Sequence, residues 1–446
     1  MRKSLRVGNR FNWIMPLLES VIKASDPALA IKRHLSVSGD DLKAGTTSYS
    51  LNKYKNIYIV GGGKGSAPMA KAIEDMLGKR ITSGLVNVKY GYTLETSRIE
   101  ILEAGHPIPD RNGLVGAKKM AVLLKGAGKD DLVIALISGG ASALIPLPAK
   151  GITLSQKKMV GSLLLRSGAA IDEINIVRKH LSLIKGGQMA VMAYPARLIS
   201  LILSDVIGDP LDTIASGPTA PDNSSYKEAM DILVRHRIWN QIPNSVKAHL
   251  LNGIKGEVAE TPKAGHPAFK KVCNLIIGNN QSVVDEAEKK ARKMGYNTLV
   301  LSRSIKGEAR EVAKVFGSIA REIISRGVPA KKRACIIAGG ETTVTVKGNG
   351  KGGRAQEFAL AGALEIAGLK GVTLVGFATD GTDGPTDAAG ALVDGTTVDR
   401  AIRNGLDPRR SIEDSNSYNF FQSLGDLIIT GPTCSNLNDL YLLFVD

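Results

Sequence analysis

Cysteine is scarce in this chain. Cys273, Cys335 and Cys434 are the only three, too few and too scattered for a disulfide framework and without the close spacing of a zinc site. Their scarcity excludes the small disulfide-bonded secreted class and leads to the expectation of a reducing, cytoplasmic location. Aromatic residues make up 4% of the chain, which leaves few stacking platforms for single-stranded nucleic acid. Long apolar runs are missing too: Leu132 to Ile137 and Leu198 to Leu203 fall far short of the roughly 20 residues that span a bilayer. The N-terminus carries Arg2, Lys3, Arg6 and Arg10, but the stretch from Trp13 to Ile22 is interrupted by Pro16 and Glu19, so no signal peptide is expected.

What the chain has is length and positive charge. Its 446 residues are about three times the usual size of one domain, so two domains with sizeable cores are expected. With 43% hydrophobic and 22% charged residues the composition is that of an ordinary globular protein. The net charge of +16 raises the question of nucleic acid. Basic residues are spread along the whole chain, clustering only at Lys331, Lys332 and Arg333, and no zinc-finger, RNP or basic-zipper pattern occurs. The expectation is no nucleic-acid and no membrane partner; a basic surface that draws small anionic metabolites accounts for the charge.

Two glycine-rich segments, Gly61-Gly62-Gly63-Lys64-Gly65-Ser66 and Gly348-Asn349-Gly350-Lys351-Gly352-Gly353-Arg354, each follow a short apolar run and lead into a helical pattern. Glycine lets backbone N–H groups approach an anion, and the following helix aims its unpaired donors at the same place. Neither is a Walker A loop, because Gly65 stands where Ser or Thr is required after Lys64. Gly348, Gly350 and Gly353 match G-x-G-x-x-G, a weak signal alone, and glycine-rich turns with no ligand read the same way. Around these segments strands and helices alternate: strands at Asn56 to Val60, Gly84 to Lys89, Ile99 to Ala104, Asp131 to Ile137 and Ala196 to Leu203, helices at Lys64 to Leu77 and Gly113 to Leu124. The polar stretch Asn252 to Pro267 reads as a domain boundary. Beyond it the alternation restarts at Asn274 to Ile277, includes an alternating run at Glu341 to Lys347, and ends in Leu440 to Val445, which fits either sheet. The expected architecture is α/β: two Rossmann-like domains, 1–255 and 268–446, with mostly parallel sheets around an active-site cleft.

In open α/β sheets ligands gather at the carboxyl ends of strands. That rule groups Gly63 and Lys64, then Ser138, Gly139, Gly140 and Ser142, then Asp205 and Asp209. Ser138, Gly139 and Gly140 form a potential backbone nest for an anion. Arg178, Lys185 and Gly186 lie in a donor-rich stretch suited to a small carboxylate or phosphate, although a solvated basic helix face has the same pattern. Asp380 and Asp383 stand in a glycine-flexed loop, and Mg²⁺ bound to phosphates needs only one or two carboxylates. Asp209 and Asp387 read equally well as turn or cap residues, and His106 reads as a turn residue.

Taken together, the segments identify a family. They include Gly61 to Ala70, Glu103 to Asp110, Ser138-Gly139-Gly140-Ala141-Ser142, Asn175 to Ser182, Lys185-Gly186-Gly187 and Ser204-Asp205-Val206-Ile207-Gly208-Asp209. They continue through Gly340-Glu341-Thr342-Thr343, Gly352-Gly353-Arg354-Ala355-Gln356-Glu357 and Ala378 to Gly390. In this order the chain resembles the class II glycerate kinases, or glycerate 2-kinases, whose C-terminal half is called the MOFRL domain. The resemblance runs from about Ile57 to Val398. Ala355 departs from the family's Asn at that position, which touches that side chain and leaves Arg354 intact.

The resemblance implies transfer of a phosphoryl group from ATP to D-glycerate, usually at the 2-hydroxyl, with Mg²⁺ or another divalent cation. It marks Lys64 and Arg354 as catalytic. Asp205 is expected to bind the metal or orient the attacking hydroxyl, with Asp380 as the competing metal ligand. Gly63, Ser138, Gly139, Gly140, Ser142, Arg178, Lys185, Gly186, Gly352, Gly353, Glu341 and Thr342 are expected around the substrates. The expected partners are D-glycerate and ATP, in a monomer or homodimer. An NAD(P)H-dependent hydroxypyruvate reductase is the alternative enzyme, a label also attached to this family, and an anion- or nucleic-acid-binding protein is the non-enzymatic one.

Overall fold

A computed structural model of the chain describes residues 5–446; Arg2 and Lys3 of the basic N-terminus lie outside the described residues. The chain divides into two units, one of Ala30–Ile277 and one that joins the described residues through Leu29 to Gly278–Asp446.

The first unit begins with a small antiparallel sheet of Leu35–Ser38 (β1), Asp41–Ala44 (β2) and Thr47–Ser50 (β3). Each strand is only 4 residues long, so their alternation leaves little mark in the sequence. The main sheet follows: Asn56–Gly62 (β4), Ser83–Lys89 (β5), Ile99–Ala104 (β6), Asp131–Ile137 (β7), Arg197–Leu203 (β8) and Val272–Gly278 (β9). Its spatial order is β6-β5-β4-β7-β8-β9, and the pairs from β6 to β8 are parallel. Parallel neighbours need long crossovers, which the helices Ser66–Leu77 and Arg111–Gly126 supply. The second of these starts where the Asp110 side chain accepts a hydrogen bond from Gly113 N. All of β7 is buried, which explains its near-continuous apolar sequence.

The second unit holds Asn297–Ile305 (β10), Ala334–Gly340 (β11), Val372–Ala378 (β12), Gly390–Asp394 (β13), Leu427–Ile428 (β14) and Asp439–Val445 (β15), ordered β10-β11-β15-β12-β13-β14. This sheet is mixed: β10 and β11 are parallel, and the other pairs antiparallel. Here the structure differs from the expectation of a mostly parallel sheet, because the C-terminal strand β15 inserts between β11 and β12 and runs against both. Its seven residues are all buried, and Phe316, Phe358 and Tyr441 stack edge to tilted in the core beneath.

Two further expectations are corrected. The stretch Asn252 to Pro267 is no linker: Glu260 accepts hydrogen bonds from His180 Nε2 at 2.9 Å, Tyr226 N at 3.0 Å and Thr261 N at 2.8 Å, tying it into the first unit. The chain therefore leaves that unit only after β9, not at 268. Glu341 to Lys347 forms no strand despite its alternation; only Thr343 pairs, through an isolated bridge to Glu308.

Candidate active site

The order of the first sheet reverses between β4 and β7, since β5 and β6 continue on one side and β8 and β9 on the other. Ligands in open α/β sheets bind outside the strand ends at such a switch point, and half-buried Lys64 emerges there. Its loop is laced to the end of β7: Lys64 N donates to Gly139 O at 2.8 Å, Gly65 N to Ser138 Oγ at 2.9 Å, and Ser138 N to Gly62 O at 3.2 Å. Gly63 has φ +138°, and a Cβ there would lie 2.1 Å from Ser138 Oγ. The glycines thus serve the close passage of two strand ends. The amides of Gly63 to Ser66 are already taken by protein acceptors, Gly63 N by Asn87 O at 3.1 Å and Ser66 N by Gly63 O at 3.2 Å. An anion cradle from this first loop's backbone, as read from sequence, is therefore corrected to a packing role. By contrast, among the described residues no internal acceptor bonds the amides of Gly139 and Gly140, so these remain the nest candidates.

His106 belongs to this corner although sequence reading ranked it as a turn residue. Its imidazole lies where a Cβ on Gly140 would sit, 2.9 Å from that position. Burial, reinforced by Lys64 and Lys89, pushes its pKa down to about 4, so the ring is neutral at pH 7 and adds no charge beside Lys64.

Ser142 and Lys185 also converge. Lys185 Nζ donates to Ser142 Oγ at 2.9 Å and to Ala215 O at 3.3 Å, Ser142 Oγ meets Ser216 Oγ at 2.7 Å, and Ser216 Oγ donates to Asn175 Oδ1 at 3.1 Å. Ala215 and Ser216 both have left-handed backbone, φ 53° and 62°, which costs about 1–3 kcal/mol each in a non-glycine residue. That strained turn holds the loop against Gly186, whose N–H donates to Ser216 O at 2.9 Å. Arg178 lies on the helix Ile171–His180 with Asn175, one turn apart on one face. Asp205 is half-buried just past β8 at the same sheet edge as the Lys64 loop, and Asp209 adopts φ 54° in the turn that follows.

In the second unit, register explains the cluster. Asp439 opens β15 and pairs with Gly340 at the end of β11 and Ala378 at the end of β12. Antiparallel insertion therefore puts its carboxylate beside the loops that carry Glu341, Thr342 and Asp380. Arg354, first residue of the helix Arg354–Glu365, donates from Nε to Asp439 Oδ2 at 2.6 Å, from Nη2 to Asp439 Oδ1 at 3.4 Å, and from Nη1 to Glu341 Oε1 at 2.6 Å. Tyr441 OH donates to Asp439 Oδ2 at 3.0 Å and meets Thr342 Oγ1 at 2.8 Å. Asp383 caps the helix, accepting from Ala355 N at 3.2 Å and Gln356 N at 2.8 Å. Burial pushes Asp383 up to about 6 and Asp439 up to about 7, the latter against the pull of Arg354. Asp380 Oδ1 accepts from Thr382 N at 3.0 Å and its charge raises Asp383.

The second glycine loop, like the first, packs on its own chain. A Cβ on Gly352 would meet Ser417 Oγ at 2.1 Å and one on Gly353 would meet Asp383 Oδ1 at 2.3 Å, while Gly350 N donates to Asp414 O at 2.9 Å. Asp439 and Tyr441 were missing from the sequence-derived site, and Asp383, read there as a loop carboxylate, caps a helix. The signal available for Asp439 was an acid at the threshold of a fully apolar strand.

Residues 14–251 match a domain of unknown function (DUF4147), and residues 334–439 match the MOFRL family. A glycerate 2-kinase of Pyrococcus horikoshii is 41% identical over 96% of this chain and 96% of its own. The crystal structure of a glycerate kinase from Thermotoga maritima superposes with a TM-score of 0.87 at 40% identity, covering 98% of this chain and 99% of the other. An Agrobacterium vitis relative, 41% identical over 87% of this chain and 86% of its own, carries a provisional hydroxypyruvate reductase name. With kinases matched at this identity along nearly the whole of both chains, the chain belongs to the glycerate kinase family.

Proposed function

We propose that the protein transfers the γ-phosphoryl group of ATP to the 2-hydroxyl of D-glycerate, giving 2-phosphoglycerate and ADP. The observation that carries this reading is the presentation of Lys64 at the sheet's switch point, where an α/β protein binds its ligands. In the step, the glycerate O2–Pγ bond forms as the bond from Pγ to the ADP oxygen breaks, and the hydroxyl proton passes to a carboxylate. Asp205 is proposed to orient that hydroxyl. Phosphoryl transfer asks mainly for positioning and for neutralising spreading negative charge. Lys64 supplies a point charge and Arg354 a planar fork that Asp439 and Glu341 hold in one orientation. Gly139 and Gly140 are proposed to donate their amides to an anionic group, and Ser142, Arg178, Lys185 and Gly186 to line the acceptor side. Gly352, Gly353 and Thr342 are proposed to shape the site around Arg354.

Magnesium fits as a shared ligand of the nucleotide. Among the described residues no group of three His, Cys, Asp or Glu side chains could hold a metal alone, and Mg²⁺ typically uses one or two carboxylates beside substrate phosphates. Asp205 is the proposed holder, with Asp380 as the competing one, and the ion would supply charge to the phosphates.

The reductase reading is weaker on geometry. A dinucleotide fingerprint needs G-x-G-x-x-G between a strand and a helix with its backbone open to a pyrophosphate. Gly348 here follows no strand, and a Cβ on Gly348 or Gly350 would strike the Asp414 backbone at 2.5 and 2.4 Å. ADP release from ATP that depends on D-glycerate tests the proposal; NADH oxidation with hydroxypyruvate, and no ADP, would replace it with the reductase.

A further inference from the structure

Lys157, on the helix Leu154–Arg166, was not a candidate from sequence, yet its Nζ is buried with no hydrogen-bond partner among the described residues. A buried ammonium without a partner costs several kcal/mol, so such groups are ordinarily paired or neutral. Its neighbours make matters worse. Arg178 and Lys185 lie close enough for the positive charges to oppose that of Lys157. Asp212 and Asp222 are engaged by Lys179 at 3.5 and 3.1 Å. Burial, with Arg178 beside it, drops Lys157 to about 7, and Lys185 falls well below its usual value for the same reason.

Lys185 connects this cluster to the strand-end turn through Ser142. It also borders a small, mainly apolar cleft lined by Ala141, Ile145, Ile184, Met189, Ala215 and Pro218.

We propose that Lys157, Arg178 and Lys185 form the subsite that takes the carboxylate of the acceptor, so that a small hydroxy acid is chosen over an uncharged polyol by this cluster. The inference rests on the kinase reading for the identity of the acid, not for the existence of the subsite. Arg178 offers a fork, and the two lysines supply point charges from neighbouring elements.

The test is calorimetric titration of the nucleotide-free protein with D-glycerate, with glycerol and with inorganic phosphate, for wild type, Lys157→Met and Lys157→Gln, beside steady-state kinetics. Loss of one charged hydrogen bond predicts roughly 10- to 100-fold weaker D-glycerate binding and a KM raised by the same factor. The KM for ATP and the affinity for phosphate should stay within about twofold, glycerol should gain nothing, and thermal unfolding should stay level or rise as an unpartnered buried charge disappears. Unchanged glycerate affinity in both variants, or loss of phosphate or ATP binding instead, overturns the proposal. Wild type that fails to bind D-glycerate overturns it as well. Wild type that binds D-glycerate through Lys157 without turning it over keeps the subsite and sinks the kinase reading alone.

Discussion

Arg354 and Asp439 meet side by side, Nε to Oδ2 at 2.6 Å and Nη2 to Oδ1 at 3.4 Å, with the carboxylate 1% exposed and Glu341 holding the remaining Nη1. A guanidinium gripped on two edges has one orientation, which a transition state can use without reorganisation. Asp439→Ala should therefore lower kcat by about a hundredfold, in the range for loss of one preorganised donor, while KM for glycerate changes little. Equal loss of kcat and of folded protein would reduce Asp439 to a structural role.

The same pair sets the expected pH dependence. Burial raises Asp439 to about 7 and Asp383 to about 6, and the two interact, so they titrate as a pair. If Arg354 acts only when Asp439 is ionised, kcat should fall on the acid side with an apparent pKa near 7, and Asp439→Asn should abolish that limb. Stability runs the other way. A folded-state value above the unfolded one means the folded chain binds the proton more tightly, so this contribution is full below about 4 and is lost as pH rises through 7. A wild-type profile flat from pH 5.5 to 8 would contradict the link to Arg354.

Lys64 and Gly63 are adjacent yet should fail differently. Lys64→Ala removes a charge at the switch point, with kcat reduced at least about a hundredfold and thermal unfolding unchanged. Gly63→Ala puts a Cβ 2.1 Å from Ser138 Oγ at φ +138°. Strain and overpacking should cost roughly 2 kcal/mol or more, read as a lower urea midpoint. A Gly63→Ala protein as stable as wild type would show that the two strand ends are not locked together.

Glu260 fastens the segment that sequence took for a linker. Burial works against its charge, but His180 and the amides of Tyr226 and Thr261 prevail and hold it at about 2. A depressed acid stabilises above its unfolded value, near 4.5, and loses that contribution as pH falls toward 2. Glu260→Gln should thus unfold at lower temperature at pH 7, with the difference from wild type shrinking at pH 3. A difference as large at pH 3 as at pH 7 would mean that shape and not charge matters at this position.

Sequence made the first sheet legible because β4, β7 and β8 are largely buried and read as mainly apolar runs bounded by Gly63, Ser138 and Ser204. Lys64 was legible for the same reason: a charge two residues past such a run lies at a strand end. The mixed second sheet was not, since the direction in which Asp439–Val445 inserts leaves no trace in its composition. With it went Asp439, which joins the site only through the pairing of β15 with β11 and β12. The glycine loops misled because close backbone packing and anion binding demand the same residue. Lys157 stayed hidden because a lone lysine on an amphipathic helix looks solvated until its surroundings are known.

Regiochemistry decides whether the protein is a glycerate 2-kinase. Purified protein with D-glycerate, ATP and Mg²⁺ is coupled to enolase, which accepts 2-phosphoglycerate and not its 3-isomer. A signal is expected without added phosphoglycerate mutase, and Arg354→Ala should abolish it. A signal that needs the mutase would mean phosphorylation at the 3-hydroxyl, and no signal with or without it would contradict the assignment of D-glycerate as acceptor.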